Sequence, residues 1–233
     1  RAEETAPLHI LPTIWFRNTW SWFENCKKPI LQRADIDTEN LSAIQLKDEV
    51  RGVWWLLCEG SAKLLFTENE TNLKKLYNAQ NASVYAKDGI NDFVVNGDQS
   101  AVNLNEFGTK SSAHYLFNIE GKSSETIYLR FSCQKSAEKQ RFSSGEDFIE
   151  ECEAVFQQRI AEAVLFLNEQ FPEVRWTRKE IAQWAGTTPE TVIRTLALFE
   201  KQGYIDQTRG RHIEILQKEA LNEYSQTRVG ALI

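Results

Sequence analysis

Methionine is missing from all 233 residues, position 1 included, which leaves the natural start of the chain open. Cysteine is scarce. Cys26, Cys58, Cys133 and Cys152 stand far apart with no C-x-x-C pair, so the spacing of a zinc or thioredoxin-like motif is excluded and reduced structural thiols are expected. His9, His114 and His212 are isolated rather than set at ligand spacing, and neither a metal nor a cofactor is expected. No apolar run approaches the roughly 20 residues that cross a bilayer. No basic-then-apolar signal segment opens the chain, so a cytoplasmic product without membrane insertion is expected. Internal repeats and low-complexity tracts are also absent.

What is present describes a soluble globular chain with room for one large or two ordinary domains: 42% hydrophobic residues and a mean hydropathy of −0.45. The net charge of −6 is unevenly spread. From Gln157 onward there are 10 Lys and Arg against 10 Asp and Glu, which leaves 17 against 23 in the remainder. Residues 8–16, 50–58, 63–67, 92–95, 113–119 and 126–132 are aromatic or β-branched runs separated by Gly, Asn, Asp and Ser. They predict an antiparallel all-β domain, a sandwich. Trp15, Phe16, Trp20, Trp22 and Phe23, with Trp54 and Trp55, could form a sugar-stacking platform, but a thick aromatic core is the better expectation. Glu59, Glu68, Glu70, Asp88 and Asp92 read as surface charges, since nothing pairs two carboxyls across one glycosidic bond. Two N-glycosylation triplets, at Asn69 and Asn81, are assigned no role.

Past residue 145 the period changes. Phe148, Cys152, Val155, Phe156, Ile160, Ala163, Leu167 and Phe171 keep helical spacing, which predicts one amphipathic helix over 146–171. Thr177 and Glu180 then form a capping box for a second helix carrying Ile181, Ala182 and Ala185, which stops at Gly186. Thr188 offers the next N-cap with Pro189 at the first helical position. Val192, Leu196 and Phe199 mark the buried face, and Gly203 closes the helix. Two strand-like runs, 204–207 and 212–216, flank a tip of Thr208, Arg209, Gly210 and Arg211. Helix, tight turn, helix and hairpin make a winged helix-turn-helix.

These residues resemble the DNA-binding domain of the Crp/Fnr family of bacterial transcription regulators. Arg178, Glu180, Ile181 and Ala182 stand at its Arg-x-Glu-Ile-Ala signature, and Glu190, Thr191, Val192, Arg194 and Leu196 at its recognition helix. The resemblance implies base readout by Glu190 and Arg194 in the major groove of double-stranded DNA. It implies backbone contacts from Arg178, Lys179, Thr188, Thr191, Arg209 and Arg211. A solvated ion pair between Glu190 and Arg194, four residues apart, is the plainer alternative. Pro189 departs from the family, many members of which carry an Arg there. The family's cyclic-nucleotide cassette and iron–sulfur cysteine cluster have no counterpart, so no effector site is recognisable. With the dimerisation helix only partly represented, a homodimer is doubtful.

A second resemblance covers the β-rich part. Residues 8–22, 64–72, 87–95 and 101–115 are similar to the N-terminal β-domain of glycoside hydrolase family 63, the processing-glucosidase type. That family holds its catalytic carboxylates in an (α/α) barrel, which this sequence lacks, so no enzyme is expected. The two resemblances meet at Arg159-Ile160-Ala161-Glu162-Ala163, a pentapeptide either family can carry, which points to a junction between unrelated genes. The expectation is a β-sandwich-like domain over 1–145, a linker helix over 146–171 and a winged helix-turn-helix over 172–233. The chain then acts as a sequence-specific regulator of the Crp/Fnr type. The alternative is a non-catalytic glycosidase fragment with carbohydrate as a partner.

Overall fold

The computed structural model describes residues 3–22, 27–133, 144–207 and 212–226. The chain divides into two compact units, Arg1–Phe148 and Ile149–Ile233.

Among the described residues the first unit has nine strands: β1 (Ala6–Ile10), β2 (Thr13–Trp15), β3 (Ile30–Ala34), β4 (Leu41–Asp48), β5 (Gly52–Glu59), β6 (Lys63–Thr67), β7 (Phe107–Gly108), β8 (Lys110–Ile119) and β9 (Leu129–Cys133). One sheet runs β7-β3-β4-β5-β9. In the other, β1, β2 and β6 all pair with β8. Each of these pairings is antiparallel. The β4–β5 hairpin follows from Asp48 and Gly52. The Asp48 carboxylate accepts from the backbone N–H of Val50 at 3.0 Å and of Arg51 at 2.7 Å, and Gly52 takes φ +76°. Leu31, Ile44, Leu46, Leu56 and Cys58 of the five-stranded sheet share one core with Leu64, Phe66, Ala113 and Tyr115 of the other. Burial there pushes the Cys58 thiol up to about 12, against a hydrogen bond from Tyr115 that lowers it.

Three expectations need correction. The 8–16 run is two strands, because Pro12 has no N–H to give a ladder and the chain breaks its pairing there. Residues 92–95 lie in helix α2 (Gly89–Asn96), not in a strand. Gly97 at φ +69° terminates the helix, and Ile90, Phe93 and Val94 pack with Leu65 and Val102, so tertiary packing overrides the β-branched Val94-Val95. A short helix α1 (Leu73–Tyr77) precedes it. The aromatic cluster joins the core only in part: Phe16 and Trp54 pack at the edge of a mostly aliphatic buried cluster and Trp20 and Trp55 are half-buried, while Trp15 and Trp22 are each 59% exposed. Phe23 and Cys26 lie outside the described residues.

Helix α3 (Gly145–Gln170) leads into the second unit. There it is followed by α4 (Arg178–Ala185), α5 (Pro189–Lys201), the antiparallel pair β10 (Ile205–Asp206) and β11 (Glu214–Ile215), and α6 (Lys218–Gln226). Ile160, Val164 and Leu167 of α3 close one core with Ile181 of α4, Val192, Leu196 and Phe199 of α5, Ile205, Ile213 and Leu221. The second half of α3 thus belongs physically to the helix-turn-helix. Gln158, 4% exposed, donates to the Ser225 carbonyl at 2.8 Å and ties α6 to α3. No helix among the described residues is long and apolar enough to cross a membrane.

Candidate nucleic-acid interface

The turn between α4 and α5 is fixed by its caps. Thr177 Oγ1 accepts from the Glu180 N–H at 3.2 Å, and Glu180 Oε2 accepts from the Thr177 N–H at 2.7 Å, so both halves of the capping box form. Gly186 ends α4 at φ +66°, a conformation in which a Cβ would be strained. Two residues on, Thr188 Oγ1 accepts from the Thr191 N–H at 3.3 Å and Pro189 occupies N1. These devices set the start of α5 as an exposed helix N-terminus whose N–H groups and dipole favour an anion.

With Val192, Thr195, Leu196 and Phe199 buried, α5 turns Glu190, Ile193, Arg194 and Ala197 to solvent. Glu190 and Arg194 therefore share the outward face. Arg194, 61% exposed at its side chain, does not pair with Glu190. Its Nη2 donates to both oxygens of Glu153 on α3, at 2.7 and 2.8 Å. Lys179 and Thr188 are exposed and Thr191 half-buried, with the two threonine hydroxyls 3.1 Å apart.

Arg178 sits differently from its expected place on the surface. It is half-buried at the foot of the hairpin and donates to Gln207 Oε1, while Gln207 donates from its backbone N–H and its amide to Glu200, at 2.9 and 3.2 Å. Burial pulls the Arg178 guanidinium below its usual range, and the Glu200 charge opposes that. The network holds α4, α5 and β10 together where the wing begins. Arg209 and Arg211, expected to contact the DNA backbone, lie outside the described residues.

Two features escaped the sequence reading. Ile193 is 55% exposed beside Arg194. Its signal was available, since an isoleucine directly after buried Val192 falls off the apolar stripe. Glu153 stands 41 residues from its partner, and no spacing rule reaches that far. Among the described residues no cluster of three or more His, Cys, Asp or Glu side chains could hold a metal.

Residues 158–224 match the Crp-like helix-turn-helix domain family, in agreement with the caps, turn and hairpin of the second unit. The uncharacterized protein YMR196W of Saccharomyces cerevisiae (strain ATCC 204508 / S288c) is 32% identical over 155 residues, 55% of this chain and 14% of that protein. The chain thus spans about a seventh of that relative's length. At 55% of this chain the match is longer than the second unit, Ile149–Ile233, and therefore includes part of the first. Among solved structures, the catabolite activator protein of Thermus thermophilus is similar at 14% identity, with a TM-score of 0.33 over 95% of this chain and 90% of that one.

Proposed function

We propose that the chain is a DNA-binding regulator that reads the major groove with α5. The observation that carries this reading is the second unit itself: a Crp-like helix-turn-helix whose second helix presents Glu190, Ile193 and Arg194 on one exposed face. Arg194 donates to a guanine, Glu190 accepts from a cytosine amino group, and Ile193 meets a thymine methyl. Lys179, Thr188, Thr191 and the first N–H groups of α5 contact phosphates, as do Arg209 and Arg211. Arg178, already donating to Gln207, supports the wing instead. No effector site is assigned. Selection of a preferred duplex from a random library, then anisotropy titration of the full chain, tests the reading. Arg194→Ala should lose on the order of 1–3 kcal/mol on the selected site and little on scrambled DNA. Equal losses on both duplexes would sink base readout.

A second reading concerns the first unit, where the shared core of the two sheets supports a β-sandwich and the sequence blocks support a likeness to family 63 glycosidase N-terminal domains. It is favoured by a cleft of about 1110 Å³ lined by Trp15, Phe16, Arg17, Trp20, Lys28 and Arg51. Lys28 lies over the Trp20 ring at 5.7 Å and Arg17 over Trp22 at 5.2 Å. Among the described residues neither a cation nor a ring covers Trp15, which leaves a planar apolar face open to a sugar. Binding without hydrolysis is the expected activity. On an oligosaccharide array, Trp15→Ala should abolish any retention the full chain shows, and retention unchanged by it would remove the cleft from consideration.

A further inference from the structure

We infer that Glu153 is a built-in competitor for the base-reading arginine: its carboxylate holds Arg194 in the free protein and must be displaced for Arg194 to reach a base. The inference rests on the DNA-binding reading above and adds a determinant of affinity and specificity that lies outside the helix-turn-helix signature.

Both Glu153 oxygens converge on a single nitrogen, Arg194 Nη2, at 2.7 and 2.8 Å. Recognition of guanine O6 and N7 uses two N–H groups of the guanidinium fork, so a carboxylate on Nη2 occupies part of the donor set that the base requires. The two oxygens of one carboxylate meet Nη2 within a narrow angle, so they take one edge of the fork and tether the guanidinium to α3 for as long as the contact lasts. Burial is unequal as well: the Glu153 side chain is 20% exposed on α3 and the Arg194 side chain 61% exposed on α5. The acid is therefore the fixed partner and the arginine the one free to swing out. An anion so close to the reading face also repels approaching phosphates, which the first turn of α5 would otherwise attract. The contact lies entirely within the second unit.

Removing the competitor should strengthen binding selectively. An ion pair with one exposed partner is worth roughly 0.2–1 kcal/mol, which converts to about a 1.5- to 5-fold change in affinity. The experiment compares four full-length proteins by anisotropy: the native chain, Glu153→Gln, Glu150→Gln and Glu153→Gln/Arg194→Ala, with Arg194→Ala as the reference for the last. Glu150 is exposed on the same helix, so its change removes one charge without touching Arg194. The preferred duplex is selected with the Glu153→Gln protein. Glu153→Gln should tighten that duplex about 2- to 5-fold, Glu150→Gln clearly less, and the gain should vanish when Arg194 is alanine. A gain equal to that of Glu150→Gln, or one that persists without Arg194, would overturn the inference while leaving DNA binding in place. Failure of every variant to bind any duplex would overturn the inference together with the reading it rests on. A readout without DNA separates these cases further: rotation about the Arg194 Nε–Cζ bond, followed by NMR, should be slower in the native chain than in Glu153→Gln. Equal rates would show that the pair does not hold the arginine.

Discussion

At the residue scale, charge sets the behaviour of both units, and it does so through contacts between residues distant in sequence. Arg194 meets an acid 41 positions away. His114 of β8 lies 2.8 Å, Nε2 to Nδ1, from His9 of β1. Burial, then the neighbouring His9 and Lys63, keeps the His114 imidazole below its usual 6.5. The sign follows from proton uptake. The unfolded chain binds a proton at a higher pH than the folded one, so stability is undiminished by this group above about pH 6.5 and drains as the pH falls toward the lower folded value. Melting curves between about pH 7 and 5 should show the native chain losing more stability than His114→Gln. Parallel loss in the two proteins would rule out this pair as the source. The histidines looked isolated in sequence because β1–β8 register, not spacing, brings them together.

At the element scale, the helix-turn-helix was legible almost residue by residue. Thr177, Glu180, Gly186, Thr188 and Pro189 each carry a local instruction that acts within four positions, and each forms the contact or backbone angle expected of it. Gly186 offers the cleanest check. No atom would crowd an added Cβ, so Gly186→Ala acts through its φ of +66° alone and should destabilise the second unit by about 1 kcal/mol. A denaturation midpoint unchanged by that substitution would show that the turn does not depend on it. The β-rich unit was less legible. Strands β3 and β4 went unseen because their residues, ILQRA and LSAIQLKD, hold few β-branched and no aromatic side chains. The Val94-Val95 pair pointed the other way, to a strand, in a segment that packing makes helical.

At the scale of the whole molecule, the second part is electrically balanced and the first is acidic, 17 Lys and Arg against 23 Asp and Glu before Gln157. A regulator that contacts DNA with about four cations should show a salt slope of roughly −3.6, or about a hundredfold loss between about 50 and 200 mM salt. Affinity should be modest at physiological salt, since Pro189 at the start of α5 offers no donor to a base and Arg194 begins in an ion pair. A nanomolar complex insensitive to salt would contradict both the contact set and the role given to Arg194.

The order of the elements in the second unit, its caps, its buried stripe and the candidate reading face could be read from the residues alone, because helix ends and helical periodicity are short-range effects. Composition and punctuation also announced a β-rich first part. Folding in three dimensions was needed to show how the nine described strands divide between two sheets, that Trp15, Phe16 and Trp20 line a cleft, and that Arg178 donates to Gln207 beside β10. It alone decided that Arg194 faces Glu153. Sheet partners and cross-chain ion pairs depend on which surfaces fold against each other, and no local rule connects residues dozens of positions apart until the chain has closed around a core.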